Sequence, residues 1–276
     1  MKDKIIKKRI VKIKTKKGNK LSLLILSNKN NNGYAPGILW IHGGGYFTGM
    51  KEMVYMSRAL NLVKKYNAVV ISPGYRLSLF HPYPKALEDC YEALLYMFYH
   101  CDELKILKNQ IMVGGESAGG GLAIALVMLA RDKKEVNIAY QMPLYPMIDN
   151  FDTSSSVNNH GKVWNTRRNH FGWKLYLRKR AKEEVEPYAS PARQKDYSNL
   201  PRAYTFVCDQ EPFYDETITY INNLKKAGIS AKVDIYPSNI HAFDMLYPSK
   251  EISKQAIKKF EEEFEYALKN FFADNK

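Results

Sequence analysis

Cysteine is scarce in this sequence, and long apolar runs are absent. The three cysteines, Cys90, Cys101 and Cys208, are widely spaced and show no CxxC or Cys/His metal-ligand spacing, so we expect neither a disulfide framework nor a zinc site. Free thiols suit the reducing cytosol, and we expect a cytoplasmic protein. The apolar stretch at 21–26 is too short for the apolar region of a signal peptide and begins too far along the sequence. Nothing approaches the ~20 apolar residues of a membrane-spanning helix, so stable membrane insertion is not expected.

Internal repeats and linkers are also absent. No unit of about 20 to 50 residues recurs, which argues against a solenoid, and no Ser-, Gly- or Pro-rich tract divides the chain. With 276 residues, 45% of them hydrophobic, the chain can bury one large core. We predict a single domain over residues 1–276. The sequence leaves the oligomeric state open, a homodimer included.

The formal net charge of +14 is unevenly distributed. Residues 1–20 hold ten lysines and arginines against one aspartate, a net +9 of the +14, and the remainder of the chain is only mildly basic. These cations lie on an alternating opening strand, where they protect the edge of a sheet from pairing with another chain. Nucleic acid is therefore not an expected partner, although a charge of this size invites that interpretation.

A second basic region, which we call the cationic cluster, lies between residues 162 and 182. The favoured interpretation is the solvated face of a helix. The alternative is a positive rim that favours anionic substrates or an acidic surface. The cationic cluster consists of Lys162, Arg167, Arg168, Lys174, Arg178, Lys179, Arg180 and Lys182.

Short apolar stretches alternate with helical ones along most of the chain. This alternation, with short loops, predicts a mostly parallel sheet covered by helices on both faces, whose ligands gather beyond the carboxyl ends of the strands. Residues 150–190 lack strand character and are interpreted as an inserted helical cap. Strands are predicted at 5–14, 20–26, 37–41, 68–72, 138–145, 203–208 and 231–236, and helices near 53–66, 85–101, 213–227 and 250–272.

The stretch from Gly115 to Gly119 places one serine between glycines, directly after an apolar run and before a helix-forming segment. This strand–turn–helix arrangement is the context of a G-x-S-x-G nucleophile elbow. The turn is too sharp for side chains two residues either side of the serine, which explains the two glycines. Ser117 is therefore the candidate nucleophile. The alternative is a glycine-rich turn that packs tightly or holds a phosphate.

A second glycine run, His42 to Gly45, follows the predicted strand 37–41. It therefore lies at the same rim of the sheet as Ser117. Small residues at such a position can turn backbone N–H groups toward a developing oxyanion. The candidate donors are the N–H groups of Gly43, Gly44 and Ala118.

A serine at its ordinary pKa is a poor nucleophile, so a base must lie within hydrogen-bond reach. Of the six histidines, His241 is the candidate base because it follows a strand and lies on the same rim. His42 is interpreted as a brace for its own glycine loop. The other histidines flank the helix before the elbow (His81 and His100) or lie in the predicted cap (His160 and His170).

The base in turn needs a carboxylate that fixes its tautomer and stabilises the imidazolium. Four acids follow the predicted strand 203–208. Glu211, just beyond that strand, is the best placed, and Asp209 stays open as the alternative. Asp215 and Glu216 are expected to begin the next helix, where acids suit the helix dipole.

Together these blocks resemble bacterial esterases of the hormone-sensitive-lipase-like branch of the α/β-hydrolase superfamily, over a range from Gly37 almost to the C-terminus. The resemblance implies an eight-stranded α/β-hydrolase sheet, a Ser117–His241–Glu211 triad, no metal or cofactor, and hydrolysis of short acyl esters. The reactive residues follow the superfamily order Ser, acid, His. The blocks are His42–Gly45, Tyr75–Leu77 with His81–Pro84, Gly115–Gly120, Glu211–Phe213 with Asp215–Glu216, and His241–Phe243.

The chain departs from the family pattern in three respects. Glu211-Pro212-Phe213 stands where the family usually has Asp-Pro-Leu, so the acid is one methylene longer. Ser78-Leu79-Phe80 replaces the usual Ala-Pro-Glu, a change that can alter the pocket wall. No N-terminal capping helices are predicted, so residues 150–190 are the expected lid.

We therefore predict a serine hydrolase that cleaves short-chain carboxylic esters through an acyl-enzyme intermediate, with a small acyl ester as its partner molecule. Amide, formamide or peptide hydrolysis is the alternative within the enzyme class, because the same catalytic residues can cleave acyl compounds with several kinds of leaving group. The non-catalytic alternative is a ligand-binding protein on a hydrolase scaffold. Such a protein would have no chemical need for both Ser117 and His241.

Overall fold

A single sheet of eight strands forms the centre of the computed structural model, which describes residues 5–275. Helices cover both faces of the sheet, as predicted, and the sheet has the eight strands that the resemblance implies. The strands are β1 (Ile6–Lys14), β2 (Lys20–Asn28), β3 (Ala35–Ile41), β4 (Val69–Pro73), β5 (Ile106–Glu116), β6 (Tyr140–Leu144), β7 (Arg202–Cys208) and β8 (Ala231–Tyr236).

Across the sheet the strands follow the order β1-β2-β4-β3-β5-β6-β7-β8. β1 pairs antiparallel with β2, and β2 pairs antiparallel with β4. The pairs from β4 and β3 across to β8 are parallel. The carboxyl ends of the parallel strands therefore share one edge, and the loops that follow β3, β5, β7 and β8 meet there.

β1 forms one edge of the sheet, as its charge pattern predicts. All five of its cations are exposed, and charged side chains on an edge strand discourage pairing with another chain. Lys2 and Lys4, which contribute to the same N-terminal charge, lie outside the described residues. The exposed cations of β1 are Lys7, Lys8, Arg9, Lys12 and Lys14.

The central strands bury side chains on both faces. In β3, Leu39 and Ile41 belong to the core on one face, whereas Ile38 and Trp40 belong to the core on the other. Successive strand residues point to opposite faces, so a strand covered on both sides is continuously apolar. The helices are α1 (Arg58–Tyr66), α2 (Lys85–Tyr99), α3 (Cys101–Leu104), α4 (Ala118–Lys133), α5 (Thr166–Leu177), α6 (Tyr214–Lys226), α7 (Phe243–Leu246) and α8 (Glu251–Asn270).

The helices divide between the two faces of the sheet. Buried residues of α2, α4 and α6 belong to the first core, and those of α1 and α8 belong to the second. α4 is buried almost all round, as a helix at the centre of a layer should be. Within residues 5–275, no helix combines the length and the apolar character needed to cross a membrane.

The stretch near 53–66 is helical, as predicted, but it is divided into two elements. The chain forms a 3-10 turn at Lys51–Tyr55 and begins again as α1. Ser57 lies between the two with an extended backbone, and its Oγ accepts the Ala59 N–H at 3.1 Å. A serine that caps a helix in this way marks the start of a new helix within a stretch predicted to be helical.

Two strands also differ in length from the prediction. β5 is longer than the apolar run before the elbow, and β6 is shorter than predicted.

The segment predicted as a cap lies between β6 and β7. It contains α5, followed directly by a 3-10 turn at Arg178–Lys182, and a second short turn follows at Pro191–Arg193. α5 begins at an N-cap asparagine, Asn165, whose side chain accepts the Arg168 N–H at 3.1 Å. Such a cap satisfies a backbone donor that the first turn leaves free. The segment is thus helical, and its service as a lid stays a prediction.

Candidate active site

The turn between β5 and α4 holds Ser117 in a strained conformation. Its φ is 57° and its ψ is −121°, a region that costs a non-glycine residue free energy and occurs at nucleophile elbows. A Cβ on Gly115 would lie 2.4 Å from the Ile41 carbonyl oxygen, and one on Gly119 would lie 2.1 Å from the same atom. Both positions therefore require glycine, as predicted, but the closest atom that a side chain would meet belongs to β3 rather than to the turn.

Ser117, His241 and Glu211 lie in one series of hydrogen bonds. His241 Nε2 is 2.9 Å from Ser117 Oγ, and His241 Nδ1 is 2.6 Å from Glu211 Oε2. Because the carboxylate can only accept, Nδ1 carries the proton and Nε2 is left to accept the serine hydroxyl. The exposed fractions are 6% for Ser117, 4% for His241 and 0% for Glu211. Water is therefore largely excluded from all three groups.

Of the four acids that follow β7, Glu211 is the one that contacts His241. Its second oxygen, Oε1, accepts the Cys208 N–H at 3.2 Å. Asp209 is exposed and accepts the Ser238 N–H at 3.2 Å. Asp215 accepts the Ser155 N–H at 2.7 Å, and Glu216 accepts the Ile148 N–H at 2.6 Å. Asp215 and Glu216 lie in the first turn of α6, as predicted.

The glycine loop after β3 lies against the elbow. A Cβ on Gly43 would be 2.9 Å from the Glu116 carbonyl oxygen and 3.3 Å from Ser117 Cβ. Gly44 has a φ of 112°, and its carbonyl accepts the N–H groups of Phe47 and Thr48, which closes the loop. Among residues 5–275, the N–H groups of Gly43, Gly44 and Ala118 donate to no backbone carbonyl. These donors are the ones an oxyanion beside Ser117 could use.

His42 braces the glycine loop, as the sequence predicts. Its Nδ1 donates to the Gly43 carbonyl at 2.8 Å, its ring stacks on Tyr75 with centroids 4.1 Å apart, and the Tyr75 hydroxyl donates to the His42 carbonyl at 3.0 Å. Burial lowers the pKa of His42 to about 4, because the apolar surroundings disfavour the charged form. His42 is therefore neutral at neutral pH and acts as a structural donor.

The depressed pKa of His42 predicts a loss of stability in acid. A histidine that titrates near 6.5 when unfolded and about 4 when folded stabilises the fold fully above pH 6.5, and this contribution is lost as the pH falls toward 4. We expect wild type to lose up to about 3 kcal/mol more than His42→Asn between pH 6.5 and pH 4. Urea unfolding of both proteins across this range measures the difference, and parallel curves would contradict the prediction.

Aromatic rings enclose the reactive groups. Tyr145 and Phe213 each meet the His241 ring edge to face at 5.0 Å between centroids, and Trp164 lies 6.4 Å from it. A Cβ on Gly45 would be 2.3 Å from the Trp164 ring. Neither Tyr145 nor Trp164 was predicted from the sequence as a residue of the site. Tyr145 directly follows β6, so the rule that ligands gather at carboxyl strand ends was the signal that could have found it.

The cationic cluster is exposed throughout, as expected for a solvated face, but only three of its eight cations, Arg167, Arg168 and Lys174, lie on the helix α5. The others lie before α5 or in the 3-10 turn that follows it. Several of its members serve the structure: Arg168 donates to the carbonyls of Lys162 and Val163, and Arg178 donates to those of Ser78 and Leu79. The alternative, a rim that favours anionic substrates, stays a prediction. In the described part of the chain, no three His, Cys, Asp or Glu side chains are grouped as a metal site.

The sequence and the fold are similar to proteins named as esterases. A family with the alpha/beta hydrolase fold matches residues 38–245. An arylesterase of Saccharolobus solfataricus is 32% identical over 78% of this chain and 69% of its own length. Carboxylic ester hydrolase LipN of Mycobacterium tuberculosis is 29% identical over 79% of this chain, which spans only 60% of that protein. The structure of a bacterial heroin esterase has a TM-score of 0.88 and 30% identity, covering 93% of this chain and 82% of that one.

Proposed function

The chain belongs to the α/β-hydrolase fold family, and on this premise we propose that it is a serine hydrolase that cleaves short-chain carboxylic esters. The observation that carries the proposal is the unbroken series of hydrogen bonds from Ser117 Oγ through His241 to Glu211. The relatives and structural neighbours named as esterases support esters as the substrate class.

In the first half of the proposed reaction, Ser117 Oγ attacks the acyl carbon while His241 Nε2 takes the hydroxyl proton. The carbonyl electrons move to oxygen, and this oxyanion accepts hydrogen bonds from the N–H groups of Gly43, Gly44 and Ala118. The intermediate then collapses. The bond from the acyl carbon to the alcohol oxygen breaks, His241 returns its proton to that oxygen, and Ser117 is left acylated.

In the second half, a water molecule attacks the acyl carbon and His241 takes one of its protons. The bond to Ser117 Oγ breaks, the serine regains the proton, and the carboxylic acid leaves. Throughout both halves Glu211 accepts the Nδ1–H of His241, which keeps Nε2 free and compensates the charge of the imidazolium. The Cys208 N–H holds the other carboxylate oxygen in place.

We further propose one domain with residues 150–190 as its cap. Two contacts join this segment to the loops of the site: the Phe171 ring meets the ring of Phe47, which lies in the glycine loop after β3, edge to face at 5.2 Å between centroids, and Ser155 Oγ donates to the Pro212 carbonyl at 2.9 Å. The segment therefore touches both the glycine loop and the loop that carries Glu211. A cytoplasmic location and a homodimer stay predictions from the sequence.

The proposal is tested by hydrolysis of p-nitrophenyl esters with acyl chains from acetate to decanoate. We expect kcat/KM to be highest for the shortest esters, because the Trp164 ring occupies the space beside the glycine loop. Replacing this ring by the small side chain of Trp164→Ala should raise the ratio of octanoate to acetate hydrolysis about tenfold or more, since one methylene in an apolar pocket is worth about 1–3 kcal/mol.

Because that ratio is taken within each protein, a general loss of activity in the variant does not affect it. An unchanged ratio would show that Trp164 does not limit the acyl group. Failure of wild type to hydrolyse any ester would overturn the proposed function. Faster hydrolysis of p-nitroacetanilide than of p-nitrophenyl acetate would assign the same residues to an amidase.

A further inference from the structure

A second buried carboxylate lies close to His241, and the proposed reaction does not use it. Asp244 follows His241 by three positions, and its side chain is 0% exposed. The Tyr145 hydroxyl donates to Asp244 Oδ1 at 2.9 Å. Arg58 Nε lies 3.0 Å from Asp244 Oδ2, and Arg58 Nη2 donates to the Asp244 carbonyl at 3.3 Å. One buried polar cluster therefore links α1, the end of β6 and α7.

Tyr145 connects this cluster to the imidazole. Its ring meets the His241 ring at 5.0 Å between centroids with an interplanar angle of 78°. Phe213 makes the corresponding contact at 5.0 Å and 81°. Edge-to-face contacts of this kind have a preferred geometry, so a shift of the Tyr145 ring would change the packing around His241.

The backbone of Tyr145 is also strained, with a φ of 35°. Its N–H donates to the Phe206 carbonyl at 3.1 Å. The residues around it bond to the nucleophile itself: the Ser117 N–H donates to the Leu144 carbonyl, and the Met147 N–H donates to the Ser117 carbonyl, both at 3.0 Å. Strained residues persist where their surroundings hold them, and they concentrate at functional sites.

Stability alone is a poor explanation for the cluster. A buried ion pair loses the hydration of both charges, and apolar residues of similar size are often as stabilising. Arg58 and Asp244 are nevertheless both buried. The nearby Glu116 does not compete for the guanidinium at neutral pH, because burial raises the pKa of Glu116 to about 8 even though Trp40 Nε1 donates to it at 2.8 Å, a hydrogen bond that favours the charged form. The charge of Arg58 is therefore matched with Asp244.

We propose that Tyr145, Asp244 and Arg58 are positioning residues for His241, an inference that rests on the proposed hydrolysis through Ser117. Asp244 tethers the Tyr145 hydroxyl, the Tyr145 ring holds the imidazole against Ser117, and Arg58 compensates the charge of Asp244. The carboxylate also favours the imidazolium that forms during the reaction, because the opposite charges lie close together in a buried site. The effect is expected in kcat, since none of the three residues is placed to bind the ester.

The experiment compares Tyr145→Phe with wild type in p-nitrophenyl acetate hydrolysis. The substitution removes one hydroxyl and leaves the ring. We expect kcat to fall about tenfold. By analogy, a metal-ligating histidine that loses the group bonded to its other ring nitrogen costs a protein about 10- to 100-fold in activity, and our figure is the lower end of that range. KM should stay within about twofold of wild type, since ground-state binding is unchanged.

Asp244→Asn keeps the shape of the side chain but removes its charge, so the guanidinium of Arg58 is left without its counter-charge in the cluster that packs on His241. We expect a larger loss of kcat than in Tyr145→Phe. Adding Arg58→Gln to Asp244→Asn removes the second charge and should restore part of the lost kcat. Partial recovery in the double variant distinguishes a charge effect on His241 from simple damage to the core, which a second substitution would increase.

The chain offers a matched control pair. The Tyr204 hydroxyl donates to Asp234 Oδ2 at 2.7 Å, and the Tyr204 ring packs on Phe260 of α8. Tyr204→Phe should lower the melting temperature without changing kcat. Unchanged kcat in both Tyr145→Phe and Asp244→Asn would overturn the inference, and if Asp244→Asn does not fold, Tyr145→Phe decides alone. Inactive wild type would instead overturn the proposed function.

Discussion

Replacing Ser117 by alanine should lower kcat for p-nitrophenyl acetate by about a million-fold, as loss of the nucleophile does in a serine protease. Alanine removes the hydroxyl oxygen that lies 2.9 Å from His241 Nε2, so no acyl-enzyme can form. The rate of p-nitrophenol release with and without the variant protein measures its residual activity. A fluorophosphonate probe should add its mass to wild type and leave Ser117→Ala unmodified.

A second buried serine provides the control for this experiment. Ser72 in β4 is 0% exposed, and its hydroxyl makes no hydrogen bond among the described residues. Ser72→Ala should keep both hydrolysis and labelling, because it removes a buried oxygen that takes no part in the proposed reaction. Equal rates for Ser117→Ala and wild type, or labelling of the Ser117→Ala protein, would contradict the assignment of the nucleophile.

The second large effect is expected from Glu211→Gln, with a fall in kcat of about ten-thousand-fold. The Cys208 N–H donates to one carboxylate oxygen of Glu211, so a glutamine would direct its carbonyl there and its NH₂ group toward His241. Nδ1 would then have to accept a hydrogen bond, and the proton would reside on Nε2. A histidine with that tautomer cannot take the proton of Ser117.

Asp209→Asn is the matched control, because it changes the other candidate acid in the same loop. Asp209 is exposed and bonds to the Ser238 N–H rather than to His241, so its loss should change kcat by no more than about threefold. A larger loss in Asp209→Asn than in Glu211→Gln would transfer the role of the acid to Asp209. The imidazole proton resonance offers a second measurement, because the downfield Nδ1–H signal should disappear only in Glu211→Gln.

Much of the fold followed from local sequence patterns. The alternation of apolar and helical stretches predicted the parallel sheet, and the lysines of β1 predicted its edge. The helical stretch predicted near 53–66 is divided in two, because the hydrogen bond from the Ala59 N–H to Ser57 Oγ starts a new helix there. A cap of this kind depends on the backbone conformation of a single residue. A pattern of residue types over a whole segment does not predict that conformation.

The candidate nucleophile and its glycines were predicted from the sequence alone, because a G-x-S-x-G stretch is one short segment of chain. The atom that a side chain at Gly115 or Gly119 would meet, the Ile41 carbonyl oxygen of β3, is supplied by the tertiary structure. The choice between Glu211 and Asp209 required the tertiary structure. Both acids follow β7 within three residues, and only the path of that turn directs the Glu211 side chain toward His241 and the Asp209 side chain toward Ser238.

The cluster of Arg58, Tyr145 and Asp244 was beyond the reach of any sequence pattern. Its members come from α1, the end of β6 and α7, and no spacing along the chain relates them. Sequence determines what a short turn can hold, because neighbouring residues share one backbone. The packing of the helices on the two faces of the sheet decided which distant charges and rings surround His241.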